Sequence, residues 1–253
     1  MSYDEIINIS EKSIERMILK QMFPKLIYED EPILLNTDES SKIFLITSII
    51  YTSSNPLFGN TIRSIFTGEE RLVQTIETLK TVREKVPDAY IIFAEGSSLN
   101  PEDISKLYQY IDLIILFSES ETAKYHCNSS ENKSIGEVYL LSTIISRIEK
   151  FPFNYLIKLS GRYYLNDNFN LNNLLKKSIS GQVIDDECVL TVCYSVHKDT
   201  INDFKENLFT FIRTDCQIND IEHHIYSSGI KIHHIETIGV SGKPAWSGEL
   251  LEW

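Results

Sequence analysis

Tyr155-Leu156-Ile157-Lys158-Leu159-Ser160-Gly161-Arg162-Tyr163-Tyr164-Leu165-Asn166-Asp167 is a run in which apolar strand residues pass directly into a small, cationic, hydroxyl-rich turn. Burial would hold Tyr155, Leu156 and Ile157 in a strand. Gly161 lets the backbone approach a ligand closely, and Arg162 offers a planar fork of donors that matches phosphate oxygens. A turn at the carboxyl end of a strand is also where open α/β sheets bind ligands.

Upstream of this run, strand and helix patterns alternate. Residues from about Asp4 to Met22 carry Ile7, Ile14, Met17, Ile18 and Met22 at mostly helical separations, which predicts a leading helix. The polar, proline-broken stretch from Glu29 to Ser41 reads as a connector, so residues 1–41 form an N-terminal helix and linker ahead of a main domain over 42–253. Lys42 to Tyr51 is an Ile/Phe/Leu/Thr-rich strand of the kind buried on both faces of a parallel sheet. A loop with Pro56, Gly59 and Arg63 follows, and Thr67-Gly68-Glu69-Glu70 spells a capping box that opens a helix running to Lys85 before Pro87.

Tyr90 to Ala94 predicts a second strand, Asn100-Pro101 a capped short helix, and Leu113 to Phe117 a third strand. The polar section Ser118 to Ser134 reads as a mobile loop, followed by a helix from Gly136 to Lys150 and the strand Tyr155 to Leu159. Further on, Cys188 to Ser195 predicts a strand, Ile218 to Tyr226 a short helix and Ile230 to His234 another strand. This alternation indicates a three-layer α/β/α, Rossmann-like domain around a mainly parallel sheet, with room for an antiparallel strand late in the chain.

Composition narrows the function classes. A chain of 253 residues with 42% hydrophobic residues can bury one large core. The formal net charge of −12 opposes a nucleic-acid binder, which needs a basic face, but leaves room for a local basic pocket. Cys127, Cys188, Cys193 and Cys216 lack the C-x-x-C spacing of a zinc or redox motif and read as free thiols. The amino-terminal residues show no basic stretch followed by an apolar run, and no segment carries about 18 uninterrupted apolar residues. A cytoplasmic protein is expected, in the host cytoplasm if the source is viral; oligomeric state is not legible.

The stretch Lys158-x-Ser160-Gly161-Arg162-Tyr163 resembles a motif of GT-A-fold glycosyltransferases and related bacterial and viral proteins. The resemblance extends to the first strand with Arg63, the Gln74-Thr75-Ile76 helix, the entry Lys133-Ser134-Ile135-Gly136-Glu137, and the ending from Gly239 to Glu249. It implies a GT-A fold, a nucleotide-diphosphate sugar as donor, a glycan or small carbohydrate as acceptor, and Mn or Mg as cofactor. The Asp-x-Asp signature that holds the cation in most such enzymes has no counterpart here, since Asp185-Asp186-Glu187 precedes a strand. Asp167 is the one residue left to hold a metal with ligand oxygens and water.

Under that resemblance the donor-binding candidates are Thr52, Arg63, Glu95, Lys133, Glu137, Lys158, Ser160, Gly161 and Arg162, and the candidate catalytic bases are Glu222 and Asp167. Each has a plainer reading. Arg162 could pair with a helix carboxylate or stack on Tyr163, Lys158 could extend to solvent, and Arg63 could pair with Glu69 or Glu70. Glu95 could cap a backbone turn, and Asp167 could cap the segment near Asn170. Glu137 would gain from the helix dipole in a first turn, and Glu222 could be a surface residue of its helix. Neighbouring His223-His224 and His233-His234 point to different sides of any regular element and make a poor metal site. The rival functions are a catalytically silent nucleotide- or glycan-binding module and another nucleotide-using transferase, although the first strand is followed by neither a glycine-rich phosphate loop nor a G-x-G-x-x-G turn.

Overall fold

The computed structural model describes residues 3–34, 42–57, 62–215 and 220–253; the expected linker residues 35–41, Gly59, Cys216 and Ile218 lie outside them. The leading helix α1 spans Tyr3–Met22. A short strand unread in the sequence, β1 (Leu26–Tyr28), follows it and pairs in parallel with β4 (Leu113–Leu116) at one edge of the main sheet.

The main sheet is completed by β2 (Lys42–Ser48), β3 (Tyr90–Glu95), β5 (Tyr155–Ser160), β7 (Ile179–Ile184), β8 (Cys188–His197) and β9 (Ile232–His234). Its order is β1-β4-β3-β2-β5-β8-β7-β9, and only β8 runs against the rest. The reversal at β8 comes from a hairpin whose turn residues Asp185 and Asp186 both have positive φ, 53° and 54°. Two consecutive left-handed residues match the twist of a tight hairpin, and Asp tolerates that conformation better than most residues. Asp185-Asp186 is thus the turn of a hairpin.

Strand residues alternate between two cores. Phe44 and Ile46 face one cluster, while Ile43 and Leu45 face the other. The first cluster lies under α2 (Gly68–Lys85) and α3 (Pro101–Tyr108), through Leu72, Leu79, Val82, Ile104 and Leu107. The second lies under α5 (Lys133–Ile148), α7 (Ile201–Thr210) and α8 (Ile221–Ser227), through Val138, Leu141, Ile145, Phe204, Leu208 and Ile225. Sheet and two helical layers give the three-layer Rossmann-like architecture that the sequence predicts.

Local signals hold where they were strongest. The Thr67 side chain accepts from the Glu70 amide at 3.2 Å and the Glu70 carboxylate accepts from the Thr67 amide at 2.8 Å, closing the capping box of α2. Asn100 caps α3, with Pro101 at its start. Where the sequence suggested a mobile loop, the chain instead forms α4 (Glu121–Lys124) and a π-helical turn over Tyr125–Ser129. The reason is packing: a Cβ on Gly136 would stand 3.0 Å from Cys127 Cα, so the glycine lets α5 close directly onto this turn. Consequently α5 starts at Lys133, earlier than expected, and Glu137 belongs to its second turn, not its first.

A small antiparallel sheet of β6 (Tyr163–Leu165), β10 (Val240–Gly242) and β11 (Leu251–Glu252) packs against the buried side of α2, where the Leu165 amide donates to the Thr81 hydroxyl. The aromatic ending divides: Trp253 packs edge-on against Tyr163 at 5.4 Å between centroids, whereas Trp246 is exposed. Among the described residues no helix is long and apolar enough to cross a membrane.

Candidate functional site

At the carboxyl ends of β2 and β5 lies a narrow cavity, bordered by Thr47 and Ser48 at the end of β2 and Thr52 beyond it, Ser160 at the end of β5 and Arg162 beyond it, and Lys133 and Glu137 from α5. Its volume is about 60 Å³. A larger cleft of about 770 Å³ lies elsewhere, beside α7 and α8. There Lys177 and Lys231 are balanced by Asp203 and Glu206, so it holds no electrostatic preference for an anion.

The narrow cavity differs in its charge. Arg63, Arg71, Lys133 and Arg162 all border it. Among the described residues none of the four forms an ion pair with a carboxylate. In a chain of net charge −12, this cluster gives the cavity a locally positive border.

Each cation is placed by a different element. Arg162 follows the end of β5, its guanidinium 5.6 Å from the Tyr163 ring, with a buried Nε that no acceptor among the described residues satisfies. Arg63 is buried and donates to the carbonyls of Asn55, at 2.9 Å, and Ser130, tying two loops together in place of the expected pairing with Glu69 or Glu70. Arg71, one turn into α2, is 3% exposed and donates through Nε and Nη2 to the Ile49 carbonyl at 2.9 and 2.6 Å. Burial, then repulsion from Arg162, pulls its guanidinium below the usual arginine range, although an arginine stays charged at any working pH.

Lys133 occupies the first position of α5, where the helix dipole disfavours a cation. It keeps accessible surface at the mouth, yet its ammonium is crowded by protein atoms. That desolvation first, then Arg162 and Arg71, holds its pKa down to about 7. In both groups desolvation and the neighbouring cations outweigh the opposing pull of nearby carboxylates, Glu137 and Glu222 on Lys133 and Glu95 on Arg71.

Behind the cavity wall sits a second network. Lys158 is 1% exposed, and its ammonium contacts the Glu137 carboxylate, the Thr191 carbonyl and the Ser160 hydroxyl, the last at 2.7 Å. All three donors are therefore spent inside the protein. Lys158 neither reaches solvent nor lines the cavity; it anchors Glu137, which does. Thr191 in turn donates its hydroxyl to Glu222 at the start of α8. Glu222 is consequently no surface glutamate: burial raises its pKa, and the nearby Glu137 charge adds to the rise.

Three expected ligand contacts are displaced by the structure. Gly161 donates its amide to the Thr47 carbonyl and accepts from Thr75 Oγ1, both at 2.9 Å. A Cβ there would stand 3.1 Å from Ser48 Cβ, so this glycine serves the packing of β5 on β2, not an approach to ligand. Glu95 is fully buried and accepts from the Ile50 and Ser97 amides at 2.9 and 2.7 Å, which makes it the backbone cap of its alternative reading. Asp167 is exposed and pairs at 3.3 Å with Lys85, at the end of α2 opposite the cavity, while Asn170 caps the following turn itself.

That placement bears on the divalent cation which the resemblance implies. Among the described residues no group of three or more His, Cys, Asp or Glu side chains converges. The cavity's bordering carboxylate is Glu137, already matched by Lys158, amid four further cations. This donor set does not fit a Mn or Mg site, which needs an excess of anionic oxygen.

No protein-family model matches the chain, and no curated protein does. Solved structures do resemble it. Core-mannan synthase A from Aspergillus fumigatus, in its Mn/GDP form, aligns over 84% of this chain and 78% of its own, at 8% identity and a TM-score of 0.45. A putative nucleotide-diphospho-sugar transferase from Desulfovibrio desulfuricans G20 aligns over 78% and 80%, at 8% identity and a TM-score of 0.45. A glycosyltransferase involved in glycosylating the major capsid of PBCV-1 aligns over 76% and 82%, at 13% identity and a TM-score of 0.38. At such distances the architecture of this chain rests on its own strand order.

Proposed function

We propose that this protein is a glycosyltransferase that binds the diphosphate of a nucleotide sugar in the cavity beside Arg162 and transfers the sugar to a glycan or small carbohydrate. The observation that carries the reading is the convergence of Arg63, Arg71, Lys133 and Arg162, without carboxylate partners, at the carboxyl ends of β2 and β5. Such strand ends are where open α/β sheets take nucleotides. A nucleotide sugar supplies the negative charge that the four cations lack. The Lys158 to Tyr163 motif supports the same class.

The mechanism is direct displacement at the anomeric carbon. Negative charge grows on the leaving diphosphate, and donors already fixed around it lower the barrier because they need not reorganise. Arg162 and Lys133 fill that role. Glu222 accepts the proton of the acceptor hydroxyl; burial and Glu137 raise its pKa, which makes it a stronger base than an exposed carboxylate as long as it is ionised. Lys158 and Thr191 position Glu137 and Glu222 without touching the substrate.

Thermal-shift screening against UDP-, GDP- and dTDP-sugars, followed by transfer assays with stabilising donors, tests the reading. Stabilisation by at least one nucleotide sugar, with product formed on an acceptor, is expected. Binding without turnover across an acceptor panel would favour a silent module, and binding of none would overturn the proposal.

The reading also fixes a pH dependence. Lys133 of the free site loses its proton as pH rises through about 7. A bound diphosphate favours the charged ammonium and raises that pKa again. Above about 7, binding therefore takes up a proton, and affinity falls with rising pH by up to about tenfold per unit. Calorimetry at pH 8 in buffers of different ionisation enthalpy is expected to show proton uptake, and Lys133→Met to abolish it.

A further inference from the structure

We infer that this site holds its donor's diphosphate without a divalent cation, its positive charge coming from Arg71, Lys133 and Arg162, with Arg63 as electrostatic background. The inference rests on the nucleotide-sugar reading above and departs from the metal-dependent chemistry that the family resemblance implies.

The donor chemistry carries it. A bridging Mn or Mg needs anionic oxygens from the protein in addition to those of the phosphates. Here Glu137 is matched by the Lys158 ammonium, Glu222 is held by Thr191, and Asp167 lies beside Lys85 beyond the far end of α2. A dication entering the cavity would meet four cations and no uncompensated carboxylate at its border.

The cations, by contrast, are arranged as though an anion belonged among them. The two phosphates of a nucleotide sugar carry two negative charges near neutrality, fewer than the cations that face them. Arg162 keeps a buried Nε with no acceptor among the described residues, and Lys133 stands at a helix start that repels it. Arg63 has Nε and Nη2 committed to the loop carbonyls of Asn55 and Ser130. Arg162 and Lys133 therefore make the direct phosphate contacts, while Arg71, held to Ile49 and Ser64, contributes charge from beneath. Like charges held together cost stability in the free protein, and a bound diphosphate recovers it.

The test is isothermal calorimetry of UDP, GDP, a nucleotide sugar and inorganic pyrophosphate, each in excess EDTA and in excess Mn²⁺. The expected result is a Kd that changes by less than about threefold between the two conditions. Lys133→Met is expected to weaken binding roughly tenfold or more in EDTA, the scale of one charge-assisted contact, with no rescue by Mn²⁺. Arg71→Gln is expected to weaken binding in EDTA with no rescue by Mn²⁺, and Arg71→Lys to bind more tightly than Arg71→Gln, because it keeps the charge while losing the fork on Ile49. Nucleotide binding seen only with Mn²⁺, or tightened more than tenfold by it, would overturn the inference while leaving the nucleotide-sugar reading intact. Pyrophosphate binding in EDTA without any nucleotide or nucleotide-sugar binding would overturn the nucleotide-sugar reading and leave a metal-free diphosphate site in place of a donor site. No binding of any probe would sink both.

Discussion

Arg162→Ala is expected to lower kcat/KM for sugar transfer by roughly 10²- to 10³-fold, the loss typical of removing one fixed donor from a developing negative charge. Stability should move little. The Arg162 guanidinium borders the cavity, and among the described residues its buried Nε has no acceptor and no carboxylate pairs with it. Its removal strands no buried anion, and it relieves the repulsion felt by Arg71 and Lys133. The melting temperature is therefore expected to stay level or rise by a few degrees. Arg162→Lys should recover part of the activity, because charge is kept while the planar fork is lost. Steady-state transfer assays and differential scanning calorimetry check both halves. An alanine variant within about threefold of the parent would remove this side chain from the reaction.

The contrast between Arg162 and Lys158, four residues apart, explains how far the sequence could be read. Apolar runs such as Lys42–Ser48 and Tyr155–Ser160 announce strands because burial on both faces demands them. The three residues of β1 are too few to carry a periodic signal, β6 and β10 depend on a pairing across more than 70 residues, and β11 is only two residues long. Arg162 stands out in the sequence because it sits in a turn beside a glycine, and it borders the cavity. Lys158 is as near the strand end in sequence, yet nearness to the strand end is not nearness to the cavity. Strand alternation puts Leu156, Lys158 and Ser160 on one face, and on that face α5 presents Glu137.

Arg71 was missed for a different reason. In sequence it is one more charge in the polar stretch that opens an amphipathic helix. Its signal was its company: Arg71, Thr75 and Thr78 share one buried face of α2, and a buried helical face built from an arginine and threonines asks for a polar partner. That Arg71, Lys133 and Arg162 converge is a tertiary fact, set by the order in which β2 and β5 lie side by side.

Lys158→Met is expected to produce the largest loss of stability, because it separates a buried ion pair from one side only. The ammonium is 1% exposed, and the Glu137 side chain retains 26% of its surface. Removing one partner of a fully buried pair costs about 3–5 kcal/mol, and the partial access of water to Glu137 lowers this to about 2–4 kcal/mol. For a chain of this length that corresponds to a drop in melting temperature of roughly 5–15 °C. The Thr191 carbonyl and the Ser160 hydroxyl lose their donor as well, so the support of Glu222 loosens and transfer falls together with stability. The double variant Lys158→Met/Glu137→Gln separates the causes. With no charge left to strand, it should recover most of the lost stability, giving a coupling energy of about 1–3 kcal/mol in a double-mutant cycle. A phosphate-binding lysine would behave otherwise: Lys158→Met would keep the parent's melting temperature in the absence of nucleotide and lose only affinity, and the second substitution would restore nothing.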